Sequence, residues 1–420
     1  MSDVVKQETT EILGNFSTPA SIATSCIILQ LALQVPLSTA LYFVPLTDNL
    51  IVISYLVALV SQILCVILIY LLIIPRLGIR AAKYKKVEGT SLIRALVIFC
   101  LAGSILIIIS LGFAFLFPIM NEGSNAPFGM MMITNIWAGN LLDLVIYASA
   151  LTIGPALFGE VLFRRVLIPL LEDRGMSPLT AATASSLAFA LFHIPAIIVR
   201  NPESISLYQV LSRISTLIRF GSLNILTEIP ALFLSYLGIP LITACMYFLS
   251  AFILGMACAI TYILTRNVIL ALFIHSFGNL LLLSTSSMMS LDGGIVTIVL
   301  ILMMLIIIIT GFITFIRVLK DFRAPDPDRD WVISLKEKSR VKTKTGLVKY
   351  LLLFLAGVIF VVFYQTIAGF IPFTFVASLS FYGMIFFFVF RSTMKKVTAE
   401  TVVLTGGSEP SGTGTGGELS

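Results

Sequence analysis

The chain has 420 residues with a net charge of +6, yet charged residues make up only 11% of it and hydrophobic residues 58%. With a mean hydropathy of +1.05, this excludes an ordinary soluble domain, in which about 25% of residues are charged, and marks a polytopic membrane protein. The basic residues gather in short loops beside apolar runs, as expected of cytoplasmic loops, so the lipid bilayer is the expected partner and nucleic acid is not.

A crossing helix needs about 20 apolar residues. Runs of that kind lie near 20–44, 51–74, 92–118, 134–153, 177–199, 241–264, 268–288, 293–316, 350–369 and 373–390. They predict an all-α, multi-pass helix bundle of about nine to eleven spans, with an intramembrane polar cavity at the polar residues discussed below. The first residues are mixed polar and acidic (Asp3, Glu8, Glu11) and lack a signal-peptide pattern, so the first span is expected to start insertion.

Arg76, Arg80, Lys83, Lys85 and Lys86 mark a cytoplasmic loop and place the N-terminus on the same side, in a cytoplasmic membrane. The loop 121–130 has no lysine or arginine and is expected outside. Segment 200–240 reads equally as an interfacial helix, a short span or a re-entrant piece, which leaves the orientation of the middle helices open. A basic cytosolic linker (317–349) carries Lys336, Lys338, Arg340, Lys342 and Lys344. The expected organisation is N-terminal transmembrane helices (1–130), a core (131–316), that linker, a C-terminal transmembrane hairpin (350–390) and a disordered cytosolic tail (391–420).

The five cysteines, Cys26, Cys65, Cys100, Cys245 and Cys258, lie in apolar stretches without paired spacing and read as small core residues.

Ionisable groups in lipid are costly, so they mark function, and three clusters stand out. Glu160 and Arg164 are four apart and share a helix face; Gly154-Pro155 predicts a break just before them. The only two histidines each have a partner at helical spacing, in Phe189-x-x-x-His193 and His275-x-x-x-Asn279. Pro195 is expected to end or kink its helix, freeing carbonyls to orient the imidazole of His193. His275 and Asn279 project from one face and offer an imidazole and an amide to water, a metal or an oxyanion.

Ordered as Gly159-Glu160-Val161-Leu162-Phe163-Arg164, Phe189 to His193 and His275 to Asn279, these clusters resemble the signature of the CAAX prenyl protease and bacteriocin-processing (CPBP, or Abi) intramembrane metalloproteases, which include type II CAAX endopeptidases. The resemblance covers about 150–290. It implies a membrane endopeptidase acting on a prenylated or otherwise membrane-bound peptide. It further implies a site of Glu160, Arg164, His193, His275 and Asn279, with a divalent metal, zinc by preference, on His193, His275 and Asn279.

The chain departs from the family where it matters most, because alignment on Phe163-Arg164 puts Gly159 at the position of the first glutamate, which activates water. Shifting by one residue makes Glu160 that glutamate and Arg165 the arginine, but puts Arg164 where the phenylalanine belongs. Neighbouring helix positions point about 100° apart, so Glu160 is expected to replace the missing base only by a rotation that sacrifices Arg164. Three functions follow: a membrane endopeptidase, with activity impaired by the glycine; a degenerate relative that binds or regulates membrane partners; and a proton- or ion-coupled transporter, for which no internal repeat speaks.

Overall fold

The computed structural model describes residues 17–41, 50–77, 89–120, 141–200, 239–288 and 295–323, with scattered residues in 348–355 and 384–395. All regular structure among them is helical. The helices are α1 (Ser17–Leu41), α2 (Leu50–Leu68), α3 (Gly89–Met120), α4 (Leu141–Glu160), α5 (Ile168–Asp173), α6 (Pro178–Arg200), α7 (Ile239–Thr265), α8 (Val268–Met288) and α9 (Ile295–Arg323). Two π-helical segments interrupt the pattern, Ile69–Ile73 after α2 and Val161–Leu167 between α4 and α5.

Three segments among the described residues are long and apolar enough to cross a membrane, Leu56–Ile73, Leu92–Ile109 and Tyr247–Thr265, and shorter apolar helices lie at Thr18–Gln34, Val268–Leu281 and Ile301–Thr314. Large apolar side chains such as Leu92, Ile93, Leu96, Ile306 and Phe312 are exposed on α3 and α9. So broad an apolar surface suits lipid tails and not water. The protein is a membrane protein. The N-terminal segment, the loop 121–130 and most of segment 200–240, of the basic linker 317–349 and of the expected C-terminal hairpin and tail lie outside the described residues, and α9 continues to Arg323 through the first residues assigned to the linker.

Helices α4, α6, α7 and α8 surround the polar residues, with α3 packed against α7 and α8, and α2 against α4. Helices α6 and α7 approach closely at Gly255, where a Cβ would stand 3.3 Å from Ser186 Cβ and 3.1 Å from the Phe189 ring. A residue so small lets helix backbones approach where lipid supplies no hydrophobic drive.

Neither proline ends its helix: α4 runs through Pro155 and α6 runs through Pro195 to Arg200. In lipid a continuous ladder that lacks one hydrogen bond costs less than a helix end with several unsatisfied groups. The chain departs from α-helix after Glu160 instead, in the π-helical segment that carries Arg164.

Two tight turns set the depth of the site. Gly175, at φ 88°, ends α5, with its N–H on the Glu172 carbonyl and that of Met176 on the Leu171 carbonyl, a glycine-terminated helix end. Ser177 then caps α6, its Oγ accepting from the Thr180 N–H at 3.3 Å, with Pro178 in the first turn. Between α7 and α8 the turn is Arg266-Asn267, and Asn267 Oδ1 accepts from the Ile269 N–H at 2.8 Å. His275 is the eighth residue of α8 after that turn, which at 1.5 Å per residue is about 12 Å. That is somewhat under half the hydrocarbon thickness.

Candidate active site within the helix bundle

Glu160 ends α4 and is fully buried. Its two carboxylate oxygens serve different partners: Oε1 accepts from Nδ1 of His275 at 2.7 Å, and Oε2 lies 3.1 Å from Nε of Arg164. The second contact is an attraction between charges and not a directed hydrogen bond, since neither atom meets hydrogen-bond geometry. The expectation that Glu160 reaches an imidazole only by losing Arg164 is therefore corrected. A carboxylate has two faces to offer, and the wider π-helical turn after Glu160 lets Arg164 stay alongside while Oε1 turns to α8.

Arg164 is held on three sides. Besides Glu160, its Nη2 donates to the Gly255 carbonyl at 2.8 Å, and its guanidinium carbon stands 4.7 Å from the centre of the Phe189 ring, within cation–π range. Gly255 makes this approach possible, because a Cβ there would sit 3.1 Å from the Phe189 ring and 3.3 Å from Arg164 Nη2. The buried charge is thus paired, hydrogen-bonded and stacked.

Phe189 connects the two histidine motifs, its ring centre 4.5 Å from that of His193 and 5.2 Å from that of His275. His193 is half-buried, and its Nδ1 meets the Phe189 carbonyl at 2.8 Å. A carbonyl only accepts, so Nδ1 carries the proton and Nε2 the lone pair. That carbonyl lies four residues back along α6 and is not one released by Pro195. Asn279 Nδ2 donates to the Thr152 carbonyl of α4 at 3.3 Å, which turns its amide oxygen elsewhere.

Gly159 sits against the same two rings, where an added Cβ would be 3.2 Å from Phe189 and 3.4 Å from His275. The glycine thus stands at the wall of the polar cluster. The structure brings Gly159, Glu160, Arg164 and His275 together, joins His193 to them through Phe189, and ties Asn279 to α4.

Sequence reasoning missed Cys258, here buried on α7. Donor atoms of Glu160, Cys258 and His275 lie within 4.8 Å of one another, a group that can hold a metal. Sulfur, imidazole and carboxylate are a donor set that zinc accepts, so the residues fit such an ion. Nothing in the sequence sets Cys258 apart from the other apolar-run cysteines; only the packing of α7 against α8 and the π-helical segment does.

Residues 140–281 match the family model described as type II CAAX prenyl endopeptidase Rce1-like. This part of the chain is similar to that family. The Rce1-like segment begins with α4 and ends within α8, and so contains every residue placed in the polar cluster; the family is one of membrane proteases. No curated protein and no solved structure matches the chain.

Proposed function

We propose that the chain is an intramembrane endopeptidase that hydrolyses a peptide bond of a prenylated or otherwise membrane-bound peptide, at a rate lowered by Gly159. The observation that carries this reading is the 2.7 Å contact between Glu160 and His275, which joins the first and third motifs of a protease family inside the bilayer.

Peptide hydrolysis needs a base for the attacking water and donors for the tetrahedral oxygen. His193, its Nδ1 proton fixed on the Phe189 carbonyl, presents Nε2 as the base and returns the proton to the leaving amine. Asn279, one turn beyond His275 on α8, holds the oxyanion through its amide N–H, while His275, its Nδ1 proton donated to Glu160, keeps Nε2 as an acceptor. Arg164 balances the Glu160 charge, so the carboxylate keeps its place beside the imidazole. A divalent metal, zinc by donor chemistry, would be held by His275 with Glu160 and Cys258, or by His275, His193 and Asn279 with His193 then giving Nε2 to the ion and not acting as base; bound, it would supply Lewis acidity to the reacting carbonyl.

The test is cleavage of a prenylated peptide by the full chain reconstituted in liposomes. The parent should cleave, and His193→Ala should lose on the order of 10²–10⁴-fold. Equal cleavage by both would overturn the assignment of the base. Gly159 favours a second reading, a degenerate relative that binds membrane partners; it predicts no cleavage by the parent and recovery of cleavage only in Gly159→Glu.

A further inference from the structure

We propose that Ser185 is a positioning residue for this site: its hydroxyl, donated to the Phe163 carbonyl, holds the π-helical segment in the register that lets Glu160 meet Arg164 and His275 at once. Its effect on catalysis rests on the peptidase reading; its effect on the geometry does not.

The contact itself sets Ser185 apart. Its Oγ donates to the Phe163 carbonyl at 2.6 Å, in a buried hydrogen bond. A serine inside a helix commonly satisfies its hydroxyl on a carbonyl of its own preceding turn, as Ser25 does on Ser21, Ser61 on Ala58 and Ser104 on Leu101. Ser185, fully buried on α6, crosses instead to another segment of the chain.

The acceptor is as informative as the donor. Phe163 lies in the π-helical segment Val161–Leu167, directly before Arg164 and one turn after Glu160. Such turns are rare and concentrate at functional sites. A carbonyl has two lone pairs, and a side-chain donor from a neighbouring helix occupies one where the ladder is least regular.

Phe189, four residues on along the same face of α6, holds the same residue by its side chain. Its ring meets the Phe163 ring edge-on at 5.3 Å and stands 4.7 Å from the Arg164 guanidinium. Ring contacts leave the segment free to slide along α6, and a directed hydrogen bond opposes that. The precision matters, because Glu160 Oε1 and His275 Nδ1 are 2.7 Å apart and a slide of about 1 Å would end their hydrogen bond. Without the Ser185 donor the segment is free to relax toward the α-helical step, which carries Glu160 away from α8.

Nitrogen-15 NMR of the full chain, labelled at histidine and held in detergent, tests this, because the chain has two histidines and His193→Ala assigns them. In the parent, His275 should show a protonated Nδ1 and an unprotonated Nε2, as its contact with Glu160 requires. In Ser185→Ala its proton should spread over both nitrogens, while the His193 ring, tied to Phe189 on its own helix, keeps its pattern. Ser185→Cys, a weaker donor of similar size, should fall between. Ser186→Ala makes the same change one position on, at a buried hydroxyl without a hydrogen-bond partner among the described residues, and should match the parent. In the cleavage assay, kcat of Ser185→Ala should fall by about 10–10²-fold with KM little changed.

Elution of each variant as the parent confirms folding, and where Ser185→Ala fails that test Ser185→Cys decides. A parent-like His275 pattern in the folded Ser185 variants overturns the proposal. An equal change in Ser186→Ala also overturns it, since buried polarity and not this bond would then be the cause. So does a changed pattern with kcat unaltered. A changed pattern confined to the Ser185 variants, in a chain that cleaves no peptide in any form, upholds the positioning of Glu160 and removes the peptidase reading.

Discussion

Arg266 grips Glu172 through both carboxylate oxygens, at 2.7 and 2.9 Å, and so ties the end of α5 to the turn that starts α8. The two turns at this end of the bundle are thereby fixed relative to each other. The depths of Glu160 and His275, on the strands of sequence that leave those turns, follow from the pair. Burial works against the Arg266 charge, but the bidentate hydrogen bonds and the charge of Glu172 outweigh it and hold the guanidinium above its ordinary value.

Arg266 also adopts φ 49°, in the left-handed region, which a non-glycine residue occupies at a cost of about 1–2 kcal/mol. Arg266→Ala should therefore lose the ion pair and keep the strain, while Arg266→Gly loses the pair and relieves it. Both side chains are partly exposed, so the pair itself contributes only about 1 kcal/mol. Thermal melts in detergent should place Arg266→Gly near the parent and Arg266→Ala below both; the reverse order would deny the strain.

Gly159→Glu places a Cβ 3.2 Å from Phe189 and 3.4 Å from His275, tight enough that both rings must give slightly. The expected cost is about 1–2 kcal/mol in stability. If the new carboxylate reaches the attacking water, kcat for a prenylated peptide should rise by about 10²-fold. Gly159→Ala, which adds the contact without the base, separates the two effects: it should lower the melting temperature and leave kcat unimproved. A gain in kcat by Gly159→Ala would mean that packing, and not a missing base, limits the reaction.

The three clusters were legible in the sequence because Glu160, Arg164, His193, His275 and Asn279 are conspicuous in apolar runs, and because the bilayer makes such residues expensive. Their distribution around one point was not. A π-helical turn needs no particular residue type, so the register that lets Glu160 serve both Arg164 and His275 left no mark on the spacing. Cys258 looked like core because a thiol is apolar enough to be core; its proximity to Glu160 is a property of how α7 meets α8 and the π-helical segment that follows Glu160. The prolines misled for a related reason. Rules for Pro155 and Pro195 come from helices in water, and lipid favours an unbroken helix. Hydropathy read the apolar runs by length alone, so it gave no account of which faces meet.

Removing Arg164 should be far more damaging than its size suggests. Arg164→Met leaves the fully buried Glu160 carboxylate without its countercharge, at an expected cost of about 3–5 kcal/mol. Pairing it with Glu160→Gln removes both charges, and the double variant should be more stable than Arg164→Met alone. Denaturation of the four forms gives the coupling energy. A double variant that falls by the sum of the two single losses would show the charges to be independent, against the 3.1 Å contact.

Beyond the Rce1-like segment, Tyr350 and Phe354 are fully buried in the same apolar cluster as Phe163 and Phe189. Phe354 meets the Phe163 ring edge-on at 6.3 Å, Phe163 meets Phe189 edge-on at 5.3 Å, and Phe189 touches both imidazoles. The route is made of aromatic contacts, each sensitive to ring position. Phe354→Ala should open a cavity beside the π-helical segment and cost about 3–5 kcal/mol. Because Phe163 directly follows Leu162 in the turn that carries Arg164, kcat should fall with KM little changed, and Phe354→Tyr should restore most of it. A destabilised Phe354→Ala protein with an unaltered kcat at a temperature where it remains folded would confine this residue to packing.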